Sequence, residues 1–351
     1  MTQQLTAARI AVPEAPDVPG LAFRHAVDAD WDAIASLLNE AHRADGVEEV
    51  LSGDVLRAEH DPLERFRLER DAVIAEVDGV LVGFAMGSFL VRDGILVAET
   101  WGSVHPGWRR RRIATAMWRW NRDRLAAEAA VDPRPGPREL RSYAMESETA
   151  SKALLDGLGY VPIRFGFEMR RFLTGALPVH PLPEGLELRP VTPDTERAIF
   201  DADNEAFEDH WGHRAPDAGD FESRFRGPDV DTSLWRVAWD GGEVAGVVMN
   251  GIFHGENEEL GVRRGWLEHV SVRRPWRGRG LAKALCAVSF VALREAGMDE
   301  AWLGVDAANP TGALQLYETL GFTVVRRWEA FARPLERPAP AGWTSGSPAT
   351  D

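Results

Sequence analysis

The sequence predicts a mixed α/β (α+β) chain in which one fold occurs twice, each copy a mixed, mostly antiparallel central sheet flanked by helices. Three observations predict it. At roughly 100 to 200 residues per domain, a chain of 351 residues holds two. Its 44% hydrophobic and 27% charged residues are ordinary for a globular protein. The same order of strand, turn and helix signals also recurs in both halves.

Each element of the repeat has a local cause. GLAFRHAVDAD (20–30) answers GLELRPVTPD (185–194), an alternating strand followed by an Asp suited to start a helix. AVIAEVDGVLVGFAMG (72–87) answers WRVAWDGGEVAGVVMNG (235–251), two β-rich runs joined through Asp-Gly, which reads as a hairpin. VHPGWRRRRIA (104–114) answers VRRPWRGRGLA (272–282), a strand end, a loop and a helix start. LLDGLGY (154–160) answers LYETLGF (316–322), a helix stopped by glycine before another strand. Proline and glycine concentrate in TGALPVHPLPEG (174–185), which is expected to link a first domain at 20–173 to a second at 186–335. Residues 1–19 and 336–351 are expected to be disordered tails.

Composition excludes several function classes. A net charge of -15 opposes general affinity for nucleic acid or anionic membrane surfaces and favours a cationic substrate. No apolar run is long enough to cross a bilayer, and the first residues lack the basic start and apolar core of an export signal, so a cytoplasmic location is expected. Cys286 is the only cysteine, lies among Leu285, Ala287 and Val288, and reads as a small buried hydrophobe. The histidines lack metal-ligand spacing, so no metal is expected. Monomer and homodimer both stay open.

The chemistry concentrates in the second copy. WLEHVSV (266–272) reads as a buried strand and LAKALCAVSFVALREAG (281–297) as an amphipathic helix. Between them Gly278 and Gly280 let backbone N–H groups converge at a helix N-terminus, an anion cradle suited to a pyrophosphate. Neither a Rossmann nor a Walker A pattern fits RGRGLAKAL. Arg277, Gly280 and Ala282 match the hallmark Arg/Gln-x-x-Gly-x-Gly/Ala of the GNAT superfamily of N-acetyltransferases, and DAANPTGALQLYETLGF (306–322) matches its later segment, an Asn after a strand and a Tyr on the next helix. The chain therefore resembles that superfamily, closely over 186–333 and more loosely over 21–172. Two such domains in one chain are similar to mycothiol synthase-like proteins.

The resemblance implies two tandem GNAT folds, acetyl-CoA as co-substrate and a small amine or amino-terminal acceptor. The backbone of Val270, Ser271 and Val272 would hold the pantetheine and orient the thioester. Arg277, Gly278, Arg279, Gly280, Leu281 and Ala282 would hold the pyrophosphate. Asn309 would touch the coenzyme, though Asn before Pro is also an ordinary helix start. Tyr317 takes the place of the tyrosine that protonates the departing thiolate, against the alternative of a tyrosine packed at the edge of the core. For the base the residues point to Glu268. Strand alternation puts it on one face with Val270 and Val272, leaving His269 as a structural residue on the other. An electrostatic anchor or an ion-paired strand residue is the competing reading. In NEAFEDHWGHR (204–214), Glu205, Glu208, Asp209, His210 and Trp211 could line the acceptor side or be solvated helix-end charge.

In the first copy Arg112 stands where Gly280 does, Leu155 answers Tyr317, Thr100 answers Glu268, and a position near Ser147 answers Asn309. Their joint change predicts a non-catalytic domain, with weak binding of a coenzyme phosphate by Arg109 to Arg112 left open. For the chain as a whole, an acyl-CoA-binding sensor or scaffold without turnover is the competing function.

Overall fold

The computed structural model describes residues 11–60, 66–92, 95–134, 136–216, 218–309 and 312–335. They form two units, Met1–Ile163 with Ala330–Asp351, and Arg164–Glu329. The elements of the first half are β1 (Leu21–His25), α1 (Trp31–Asp45), α2 (Gly53–His60), α3 (Leu68–Asp71), β2 (Ala72–Val77), β3 (Val80–Arg92), β4 (Ile95–Val104), α4 (Ile113–Val131), β5 (Arg138–Met145), α5 (Thr149–Gly157) and β6 (Val161–Phe172). The second half carries β7 (Leu186–Arg189), α6 (Glu196–Phe207), α7 (Ala218–Arg226), β8 (Arg236–Asp240), β9 (Glu243–Gly251), α8 (His254–Leu260), β10 (Arg264–Val272), α9 (Leu281–Glu295), β11 (Glu300–Asp306), α10 (Ala313–Thr319) and β12 (Thr323–Pro334).

The Asp-Gly hairpin of the first half forms because Asp78 and Gly79 both take left-handed φ, 50° and 80°, as a tight turn between twisted strands requires. Unit 1 has strands in the order β1-β2-β3-β4-β5, antiparallel except for the parallel pair β4–β5, and its sheet ends with residues 330–334 of β12. Unit 2 runs from residues 164–172 of β6 through β11-β10-β9-β8-β7, antiparallel except for β10–β11. The units therefore divide within β6 and within β12, not in 174–185. Residues 164–172, expected in the first domain, belong to unit 2, and 330–334, expected in the second, belong to unit 1. Period-two alternation shows which face of a strand is buried but not which sheet takes it.

Both parallel pairs are short. Strand β4 pairs with β5 only from Leu96 to Glu99, and β10 with β11 only from Arg264 to Trp266. Beyond those points the strands separate, so among the described residues the later part of β10 pairs with β9 alone. In unit 1 a cleft lies between that strand edge and the helix that follows the loop.

Helices cover both faces of each sheet. In unit 1, Trp31, Ile34, Leu38 and Phe84 pack on the α1 side, and Ile113, Met117, Leu125 and Leu140 on the α4 side, joined there by Phe331 and Leu335. In unit 2, Ile199, Phe200, Phe225 and Val247 pack on the α6 side, while Leu267, Leu285, Phe290 and Tyr317 pack on the α9 side. Helix α9 buries nine residues, which makes it a central core element and a firm base for the loop at its N-terminus. Of the expected tails, 1–10 and 336–351 lie outside the described residues; within 11–19, Ala11 O accepts a hydrogen bond of 2.7 Å from Trp120 Nε1. Among the described residues no helix is long and apolar enough to cross a membrane, and no group of three or more His, Cys, Asp or Glu could hold a metal ion.

Candidate active site

The glycines of RGRGLA do what their type permits. Gly278 and Gly280 have φ of 74° and 85°, and Gly280 caps the start of α9. A Cβ built on either would meet nothing within 4 Å, so the space beside both backbones is open. Leu281 is buried in the α9-side core and anchors the first turn, Ala282 is half-buried, and Arg279 is exposed at the rim.

Arg277 has a different employment from the one its place in the motif implies. Its Nε donates to Val272 O at 2.9 Å, Nη1 to Asp209 Oδ2 at 2.8 Å and Nη2 to Ala206 O at 3.0 Å. The guanidinium ties the end of α6 to the end of β10, and the backbone N–H of Arg277 donates to Arg274 O at 3.2 Å. Arg274 also binds Asp209, and these two hydrogen-bonded arginines hold that carboxyl well below its ordinary value. Arg273 Nε holds Glu205 Oε2 at 2.8 Å. Glu205 and Asp209, read as acceptor-side residues, are thus committed to loop arginines. Glu208 stands 3.7 Å from Arg274 on the same rim.

Glu268 occupies a β-bulge. Leu267 pairs with Asn250 and His269 with Met249, so Glu268 is the extra residue between them. The bulge overturns the expected alternation: Val270 and Val272 pack toward the α9-side core with Leu267, whereas His269 reaches Asp203 and Phe207 of α6. The Glu268 carboxylate lies over Gly251, where an added Cβ would stand 2.7 Å from Oε2. Its side chain is exposed to solvent, yet the surrounding protein displaces enough water to raise its pKa. Asp229 adds to the rise, and His269 and Arg224 oppose it.

Tyr317 is buried, with its ring 5.9 Å from that of Phe322. Burial, with Cys286 nearby, pushes its phenol far above the ordinary value and keeps it protonated. Asn309 lies in the turn after β11, where its N–H donates to Asp306 O at 3.1 Å and its carbonyl accepts from Gly312 N at 3.3 Å.

On the α6 side a cavity of about 270 Å³ is lined by His210, Trp211, Arg214, Arg224, Asp203 and His269, among others. Of the five residues expected on the acceptor side, His210 and Trp211 line it. The His210 ring stands 4.2 Å from Phe207, and burial, then Arg277, lowers its pKa. Arg164 places its guanidinium 5.3 Å over Trp211 and binds Asp306 at 2.6–3.0 Å. Sequence reasoning missed Asp203, Arg224 and Arg164. A signal existed for Asp203, because it falls on the same stripe of α6 as the buried Ile199 and Ala206.

Unit 1 keeps the plan with different side chains. A cleft of about 780 Å³ is lined by Trp101, Ser103, Arg110, Arg112, Ser142 and Leu155, among others. Arg109 repeats the tie of Arg277, donating to Val104 O and to both oxygens of Asp45. Arg110 and Arg112 hold the left-handed φ of 65° that glycines hold in unit 2. Strand β3 pairs with β4 through Thr100 with no bulge, and Thr100 is buried with its hydroxyl donating to Arg141 O at 3.3 Å.

Comparison with known proteins agrees with this architecture. The "Acetyltransferase (GNAT) family" matches residues 31–132 and 197–322. A mycothiol acetyltransferase of Salinispora arenicola is 32% identical over 304 residues, 85% of this chain and 90% of its own. One of Actinosynnema mirum is 31% identical over 313 residues, 88% and 97% of the two chains. The crystal structure of a GCN5-related N-acetyltransferase from Sphaerobacter thermophilus superposes with a TM-score of 0.69 at 28% identity, covering 92% of this chain and 98% of that one. A tandem GNAT protein from the clavulanic acid biosynthesis pathway gives 0.65 over 90% and 99% of the chains; at 19% identity it speaks to fold alone.

Proposed function

This chain belongs to the GNAT acetyltransferase family, and from that premise we propose that unit 2 transfers the acetyl group of acetyl-CoA directly to the nitrogen of a small amine, with unit 1 lacking that chemistry. The observation that carries the reading is the difference between the two loops and strands: Gly278 and Gly280 face open space beside a bulged Glu268 in unit 2, where unit 1 has Arg110, Arg112 and an unbulged Thr100.

Acetyl-CoA supplies an activated thioester. Gly278 and Gly280 present backbone N–H groups toward its pyrophosphate, with the N-terminus of α9 adding positive potential. The edge of β10 around Val270, Ser271 and Val272, released from β11, offers backbone groups to the pantetheine and to the oxygen on which charge develops. Glu268 accepts a proton from the acceptor nitrogen, and its raised pKa makes it a better base than an ordinary carboxylate. Tyr317, kept protonated by burial, donates to the departing sulfur. His210 and Trp211 line the side from which the acceptor approaches.

The relatives' name makes mycothiol acetylation the first reaction to assay, followed by a panel of small primary amines. Amine-dependent release of thiol from acetyl-CoA supports the reading. Binding of acetyl-CoA without turnover of any acceptor would replace it with a sensor.

A further inference from the structure

The side chains that line the acceptor cavity include His269 and Asp203 but not Glu268. Asp203 is 2% exposed and on α6, and its Oδ2 stands 2.9 Å from His269 Nδ1. Burial works to raise this carboxyl, but His269, Arg224 and the Ser271 hydroxyl outweigh it and hold the group below its ordinary value, hence ionised. An ionised carboxylate at Nδ1 puts the ring proton of neutral imidazole on Nδ1 and leaves the Nε2 lone pair as acceptor. Residues facing the ring are Asp203 on α6, Arg224 on α7, His210 and Phe207 after and on α6, and Glu268 on its own strand. Met249 on β9 is uncharged and opposite it.

An alkylammonium must lose two protons to become an amide nitrogen, one before it attacks and one after. We infer that His269, oriented by Asp203, takes the first of these protons and that Glu268 takes the second. In the first step an N–H bond of the ammonium breaks, its electron pair stays on nitrogen, and the proton bonds to Nε2, giving an imidazolium paired with Asp203. That proton then passes to water at the mouth of the cavity. After the N–C bond has formed and the C–S bond has broken, the second N–H proton goes to the Glu268 carboxylate while the sulfur takes one from Tyr317, and the proton on Glu268 then returns through water to the Tyr317 phenolate, restoring both groups. One proton is released per turnover, as acylation of an ammonium by a thioester requires. Arg224 Nη1 stands 2.8 Å from both ring nitrogens, a position over the ring rather than on the in-plane Nε2 lone pair, to which the ammonium N–H is to bind. The bulge makes this division of labour available, because it turns His269 toward α6 next to Glu268.

This inference rests on the amine-acetylating reading of unit 2, and its test separates the two. Thiol release at pH 7 and saturating acetyl-CoA is measured with ethylamine, which is protonated in solution, and with 2,2,2-trifluoroethylamine, which is largely neutral. The proteins are wild type, His269→Gln, Asp203→Asn and Glu268→Gln, each checked by its thermal melt. Removal of a general base costs roughly 100-fold or more. His269→Gln should lose about that factor with ethylamine and only a few-fold with the fluorinated amine, and Asp203→Asn should show the same selectivity, smaller. Glu268→Gln should lose equally with both. Equal losses with both amines in His269→Gln and Asp203→Asn, or no loss with either, overturn the role of His269 and leave the proposed function standing. A wild-type protein that acetylates no amine overturns the proposed function itself.

Discussion

Replacing Gly251 by Ala should stabilise the protein slightly and damage catalysis, and that opposition of signs follows from one distance. A Cβ at position 251 would stand 2.7 Å from Glu268 Oε2, 3.0 Å from Cδ and 3.5 Å from Cγ. Nonbonded heavy atoms rest near 3.5 Å, so the carboxylate must move by about 0.8 Å. It can do so cheaply, since the atoms in the way are the far end of an exposed side chain, and Ala gains about 0.5–1 kcal/mol over Gly within a strand. A base displaced by nearly 1 Å, by contrast, loses on the order of 100-fold. The expected result is a melting temperature equal to or above that of wild type with kcat/KM for the amine reduced roughly 30- to 100-fold. Unchanged kcat/KM in a folded G251A would refute the placement of Glu268 at the reacting nitrogen.

Because burial raises the pKa of Glu268, the carboxylate fraction, and with it kcat/KM, should climb through a pH range above that of an ordinary glutamate; Glu268→Gln should lower the rate and remove that limb from the pH profile. Asp209→Asn frees Arg274 and Arg277 and should raise the KM for acetyl-CoA several-fold while leaving that for the amine in place, whereas a rise confined to the amine would return Asp209 to the acceptor side. Cys286 is wholly buried and its thiol is pushed up to about 12, so iodoacetamide should label it in denaturant and not in native protein, as mass spectrometry would show.

Much of this architecture is legible in the sequence. Hairpins at Asp-Gly, helices stopped by Gly159 and Gly321, and the glycines at 278 and 280 were readable because each depends on local backbone freedom that a residue type announces. The comparison of RGRGLA with WRRRRIA also singled out the half with the chemistry now proposed. What could not be read depends on pairing between distant residues. The bulge at Glu268 needs the register against Met249 and Asn250, and its effect is large, since one extra residue moves His269 to the cavity and Val270 to the core. Ownership of 164–172 and 330–334 is likewise a matter of which edge accepts a strand. Glu205 and Asp209 looked like free carboxylates because the arginines that hold them are more than sixty residues away in sequence. Arg112 is the most informative difference: it keeps a left-handed backbone that costs about 1–2 kcal/mol for a side-chain-bearing residue.

That same arginine makes the central claim testable, because it shows that this loop tolerates Arg in the left-handed conformation. Gly280→Arg should therefore fold, at a cost of about 1–2 kcal/mol, and direct its side chain into the open space beside the loop. Amine-dependent release of thiol from acetyl-CoA by this variant is the most direct measurement. The account predicts that release falls to background in a protein that still melts cooperatively; release at the wild-type rate would contradict it.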